Sequence, residues 1–130
     1  MSAEQVIQDQ IRLDAARSGI NMWRNNVGAC EATDGQLIRY GLMNDSKKLN
    51  AQYKSADLIA IRPVLITADM VGQVVGVFTS IEVKSDNWTI RMTDEHTKAQ
   101  MRWRDLVVSS GGYAGFAQSI HDARRIMRLP

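Results

Sequence analysis

Cysteine occurs once in this chain, at Cys30, and proline only twice, at Pro63 and Pro130. A single thiol excludes an intramolecular disulfide and leaves no Cys-based zinc set. It fits a reducing cytoplasm. No second histidine stands at metal spacing from His96, so a zinc site is not expected. No apolar run reaches 18 residues, and no basic segment leads into an apolar stretch near the start. Neither a membrane span nor a signal peptide is therefore expected. Low-complexity tracts and internal repeats are also missing. Net charge is only +2, too small to name nucleic acid as the partner.

What is present suits a single domain, residues 1–130, with a packed core. The chain has 130 residues, and 45% of them are apolar. Charge is uneven. Residues 1–83 carry 8 Lys/Arg against 9 Asp/Glu, and residues 84–130 carry 8 against 5. If some of the acids bind metal, the remaining surface is more basic than the sum.

The pattern predicts a first helix over 2–18. Ser2 and Gln5 can form a capping box, and Ala3, Ile7, Ile11 and Ala15 fall at helical spacing with Val6 and Leu13 alongside. Gly19 follows as a stop. Glu4 suits the first turn through the helix dipole; a sharper reading points it at a metal site. Residues 20–27 predict a strand, and residues 29–53 mostly loop, with a turn at Asp34-Gly35 and a short strand over 37–40. Lys47, Lys48 and Lys54 read either as solvated loop charge or as phosphate contacts.

Two apolar runs follow, 57–66 and 74–83, separated by a turn near Met70. Pro63 marks a bend or an edge in the first. Together they predict a hairpin. Asp57 lies 13 residues before Met70 and Glu82 lies 12 after it, which would set the two acids opposite each other. A second helix is expected from a cap at Thr93 or Asp94 to about residue 108, with His96, Gln100, Trp103 and Val107 on one side and Ala99, Met101 and Leu106 in the core. His96 reads as a solvated or capping residue and Trp103 as core. Gly111-Gly112 ends this helix. A strand over 113–118 and a last helix from Ser119 follow. Arg124, Arg125 and Arg128 near its end suit the helix dipole or contact DNA. The sum is an α/β domain, a mixed sheet covered by helices.

The stretch Thr79-Ser80-Ile81-Glu82-Val83-Lys84-Ser85 carries the chemistry. On a strand, Glu82 and Lys84 share one face and Val83 turns away. Two carboxylates brought within ~4–6 Å repel unless a cation lies between them. Asp57 and Glu82 could hold Mg²⁺ or Mn²⁺, which prefer oxygen ligands, with the Val83 carbonyl as a third donor. Lys84 beside the metal could position an attacking water and stabilise the hydroxide it becomes. Phosphodiester hydrolysis by that route leaves a 5′-phosphate and a 3′-hydroxyl.

An Asp opening one strand and Glu-x-Lys on the next is the pattern of the PD-(D/E)XK nucleases. More of the chain resembles one branch of them, the VRR-NUC family. The matching stretches are Glu4, Arg24-Asn25-Asn26-Val27-Gly28, Arg39-Tyr40-Gly41-Leu42, Ser55-Ala56-Asp57-Leu58-Ile59, Gly76 through Lys84, His96-x-x-x-Gln100-x-x-Trp103, and Gly111-Gly112 through Phe116-Ala117. The resemblance implies a restriction-endonuclease-like fold with Asp57, Glu82 and Lys84 as the catalytic core. It implies Glu4 as an additional acid and Gln100 as a polar group facing the site. Ala60 stands where family members often have Gly, and no Pro precedes Asp57. A chain of this length resembles the standalone viral or prophage type. That implies a homodimer in a bacterial cytoplasm acting on branched DNA such as a four-way junction. Flaps, nicked duplex or RNA as substrate, and a DNA-binding module without catalysis, remain the alternatives.

Overall fold

The computed structural model describes residues 1–130. Its class is α/β, with small two-stranded sheets and four helices. The chain divides into two compact units, Met1–Ala60 and Ile61–Pro130.

The first unit opens with α1, Ala3–Arg17. Its capping box forms as the sequence predicts: Gln5 N–H donates to Ser2 Oγ at 3.2 Å and Ser2 N–H to Gln5 Oε1 at 2.9 Å. Gly19, at φ +75°, takes the left-handed position after it. The apolar stripe is less covered than expected. Ala15 is buried, whereas Val6, Ile7, Ile11 and Leu13 stay 42–53% exposed. The helix packs on β1, Asn21–Arg24. Four strand residues span ~13 Å and fifteen helical ones ~22 Å, so β1 is too short to cover the stripe.

The predicted loop over 29–53 is a correction. β2, Gly28–Glu31, pairs antiparallel with β3, Leu37–Tyr40, around the expected Asp34-Gly35 turn. Ser46 then caps a short helix, α2, Lys47–Gln52, accepting from Leu49 N–H at 3.0 Å. Ala-Cys-Glu in β2 has no apolar alternation to announce it. Gly41, after β3, needs to be glycine: it sits at φ +93°, and a Cβ there would lie 2.5 Å from the Asn26 carbonyl oxygen. β4, Leu58–Ile61, pairs with β1.

In the second unit, β5, Thr79–Val83, and β6, Tyr113–Ala117, pair in parallel, with Glu82 opposite Phe116 and Val83 opposite Ala117. Parallel neighbours require a crossover, and α3, Glu95–Ser109, provides it. Asp94 is its N-cap, as one of the two expected residues. Val107, on α3, is fully buried, and Ala117, at the end of β6, is nearly so. Gly112 lets this packing close, since a Cβ would meet Val107 Cγ1 and the Phe78 carbonyl oxygen at 2.7 Å each. α4, Ile120–Ile126, starts at Ser119 as predicted and packs on β6.

The expected hairpin between 57–66 and 74–83 does not form. β4 pairs with β1 and β5 with β6, and residues 62–78 hold only a 3₁₀ turn, Ala68–Met70. Pro63 supplies no N–H for a ladder just past β4, and β6 takes one edge of β5. Val74, which opens the second apolar run, is 99% exposed. The registry that set Asp57 opposite Glu82 falls with the hairpin. The core is also smaller than anticipated for 130 residues: only Ala15, Ile61, Val107 and Ala117 are buried hydrophobics. Units of this size bury a smaller share of their surface than one domain of the full length.

Candidate active site on the second unit

The same-face geometry of Glu82 and Lys84 is realised. Lys84 follows β5, with its N–H donating to the Ala117 carbonyl at 2.9 Å, so the strand's orientation persists through it. Its Nζ lies 3.7 Å from Glu82 Oε1. The Lys84 side chain is largely covered and Glu82 is half exposed. The carboxylate therefore faces solvent while the ammonium is held beneath it.

Gln100 completes the arrangement. One face of α3 lies over the same side of β5. Lys84 Nζ donates to Gln100 Oε1 at 2.9 Å, and Trp103 Nε1–H donates to Ser80 Oγ at 2.8 Å. Ser80, Glu82 and Lys84 are thus the period-two face, and Gln100 and Trp103, one turn apart, meet it from the helix.

Two residues that sequence reasoning missed hold Lys84 in place. Trp88 lies under the ammonium, 5.3 Å from Nζ to the ring centroid, and its other neighbour is Phe116, stacked at 5.2 Å. A cation over an indole is attracted by the ring quadrupole. Trp88 sits in a loop, and Gln118 fixes that loop. Gln118 Nε2 donates to the carbonyls of Ser85 and Trp88 at 2.9 Å each, and to that of Asp86 at 3.2 Å. A large aromatic among Ser, Asp, Asn and Thr was the available signal.

A cavity of about 240 Å³ adjoins Glu82 and Gln100; His96, Trp103, Arg104 and Phe116 also line it. Trp103 remains 37% exposed here, which corrects its reading as core. His96 donates its backbone N–H to the Asp94 cap at 3.1 Å and is among the residues lining the cavity. Asp94 also accepts from the Thr97 hydroxyl at 2.7 Å. That bond first, and the His96 and Thr97 amides after it, hold its carboxyl below the ordinary aspartate range.

Asp57, Glu4, Lys47, Lys48 and Lys54 belong to the first unit. Asp57 is exposed and immediately precedes β4 in the first unit; its carbonyl accepts from Asn25 N–H at 2.8 Å. Asn25 works as a clamp around it, donating to Ser55 Oγ at 2.9 Å and the Ala56 carbonyl at 2.8 Å and accepting from Leu42 N–H at 3.2 Å. Glu4 is exposed in the first turn of α1. Lys47 and Lys48 open α2, and Lys54 donates to Asn50 Oδ1. Arg124 donates to the Pro130 carbonyl at 2.6 Å, and Arg125 pairs with Asp122 at 3.1 Å, so both guanidinium groups have internal partners.

For a metal, the donor type fits and the donor number within the second unit does not. Glu82, the Gln100 carboxamide and the Val83 carbonyl are hard oxygens, suited to Mg²⁺ or Mn²⁺. Within either unit, no group of three or more His, Cys, Asp or Glu side chains is gathered to hold an ion. The Gln100 oxygen is also committed to Lys84. Glu82 alone does not complete a six-oxygen shell.

Compared with protein-family models, curated proteins and solved structures, the chain matches none.

Proposed function

We propose that this protein is a metal-dependent, structure-selective DNA endonuclease of the VRR-NUC type. One observation carries the reading: a charged lysine and a glutamate on one strand face, bridged to a glutamine on the crossing helix. Such a cluster offers a scissile phosphate a preorganised cation, and that is the main thing phosphoryl chemistry asks of a protein. Lys84 keeps ammonium hydrogens beyond the one given to Gln100 and would donate them to a phosphate oxygen or to the attacking water. Water attacks phosphorus in line as the bond to the 3′ oxygen breaks, and that oxygen leaves as a hydroxyl.

Mg²⁺ or Mn²⁺ would neutralise charge on the phosphate when bound. Glu82 and the Val83 carbonyl would supply oxygen ligands to it. Lys47, Lys48, Lys54, Arg124 and Arg125 would contact the DNA backbone, which positions a duplex without reading sequence. We assign branched DNA, four-way junctions first, as the substrate and a homodimer in a bacterial cytoplasm as the working form. The exposed apolar side chains Leu65, Val71 and Val74 support association with a second copy.

The alternative reading is a DNA-binding module without catalysis. A panel of four-way junction, flap, nicked duplex and single strand, incubated with Mg²⁺ or Mn²⁺ and with chelator, separates the two. Cleavage of the junction that chelator stops supports the nuclease. Binding without cleavage under every metal supports the module.

A further inference from the structure

The cavity beside Glu82 is built differently from the charged cluster it adjoins. Its walls are Trp103 and Ala99 from α3, and Ala114, Gly115 and Phe116 from β6. At about 240 Å³ it falls below the ~300 Å³ at which pockets begin to enclose drug-sized ligands. It has room for one ring system. The aromatic walls are fixed in place: Ser80 Oγ anchors the Trp103 indole at 2.8 Å, and Trp88 stacks behind Phe116 at 5.2 Å.

Polar groups stand among these apolar walls. The Gln100 carboxamide gives its oxygen to Lys84, which leaves its N–H hydrogens as donors. His96 also lines the cavity, and the Glu82 carboxylate can accept from an amino group. A flat, mostly apolar ligand with donors and acceptors at its edge satisfies this set. A bare phosphate satisfies less of it: Arg104, which also lines the cavity, is paired with Asp105 at 3.0 Å and lies over the Phe116 ring at 5.7 Å, and the anion would meet the Glu82 carboxylate and two aromatic rings.

We infer that this cavity receives one unstacked nucleobase from the nucleic acid whose backbone lies at Lys84, with Trp103 as the stacking wall. The inference rests on the reading of Glu82 and Lys84 as the phosphate site and deepens it. A duplex must unpair or unstack a base to fill the cavity, and that costs least at a branch point, a mismatch or a single-stranded end. Selection for DNA structure then arises from the base the site must accept, in addition to the shape of the backbone.

The test is binding in the presence of chelator, where no cleavage occurs. Deoxynucleoside monophosphates, deoxyribose 5-phosphate and inorganic phosphate are titrated separately while the indole N–H resonance of Trp103 is followed by NMR. A second arm compares a short single strand with the same strand carrying abasic positions. The monophosphates should shift the Trp103 resonance and the two base-free compounds should not. The intact strand should bind about five- to a hundredfold more tightly than the abasic one. Trp103→Ala should abolish that ratio. Ala99→Phe, which fills the cavity from an exposed helix position, should do the same if Trp103→Ala fails to fold. A monophosphate that binds as well as the strand identifies a free nucleotide as the source of the base. Tighter strand binding identifies the polymer. Equal shifts from phosphate alone, or a ratio unchanged in both variants, overturn the inference. Base binding without metal-dependent cleavage would retain the cavity's role while removing the nuclease.

Discussion

Asn44 and Thr97 are the polar residues this protein buries. Asn44 shows how much can depend on one side chain. Its amide nitrogen donates to the carbonyls of Gly28 at 2.6 Å and Tyr40 at 2.9 Å, and its oxygen accepts from Arg39 at 3.1 Å. The two ends of the β2–β3 hairpin are thereby tied to the loop after it. Each such bond contributes about 0.5–1.5 kcal/mol net. Asn44→Ala should therefore lower unfolding free energy by roughly 2 kcal/mol in a urea titration. A loss below about 0.5 kcal/mol would mean water replaces the clamp. Neither Asn44 nor Asn25 was legible as a structural clamp. Each makes its bonds across loops, and loop geometry leaves no periodic mark in a sequence. Glu82 and Lys84 were legible because alternation on a strand is strict.

At the scale of elements, caps and stops were readable and strand pairing was not. Ser2, Asp94 and Ser119 announce α1, α3 and α4 through side chains that bond their own helix. Such chemistry is local. The choice of partner for residues 74–83 is not local, and β6 takes it from a distance of some thirty residues in sequence. Residues 62–78 keep a strand's composition without a strand's ladder. Their amides should exchange with solvent far faster than those of Tyr113–Ala117 in hydrogen-exchange mass spectrometry. Comparable protection in the two segments would contradict this pairing.

The cap of α3 also has a pH signature. The Thr97 hydroxyl first, and the amides of His96 and Thr97, hold the Asp94 carboxyl below its ordinary value. A depressed folded value means that the stabilisation is complete above the unfolded value, ~3.9, and is lost as pH falls through the folded one. Asp122, lowered first by the Gln118 amide, follows the same sign. The gap in melting temperature between wild type and Asp94→Asn should stay constant from roughly pH 7 to pH 5 and shrink in more acid solution. A gap that instead narrows near neutrality would assign it to another group.

For the whole molecule, two units of 60 and 70 residues carry different parts of the set that the resemblance implies. The second holds Glu82, Lys84 and Gln100, and the first holds Asp57 and Glu4. The α/β class was visible in the order of periodic segments. The division into units was not, because no Pro/Gly-rich or low-complexity tract separates them. No helix is long and apolar enough to cross a membrane, in line with the want of long apolar runs. Lys84 is the group proposed to touch the scissile phosphate. The direct measurement is the single-turnover rate of cutting of a four-way junction, with Mg²⁺ or Mn²⁺, by wild type and by Lys84→Ala, with circular dichroism confirming that both are folded. Wild type should cut, and Lys84→Ala should be slower by about a hundredfold or more. Equal rates in the two proteins would contradict the assignment.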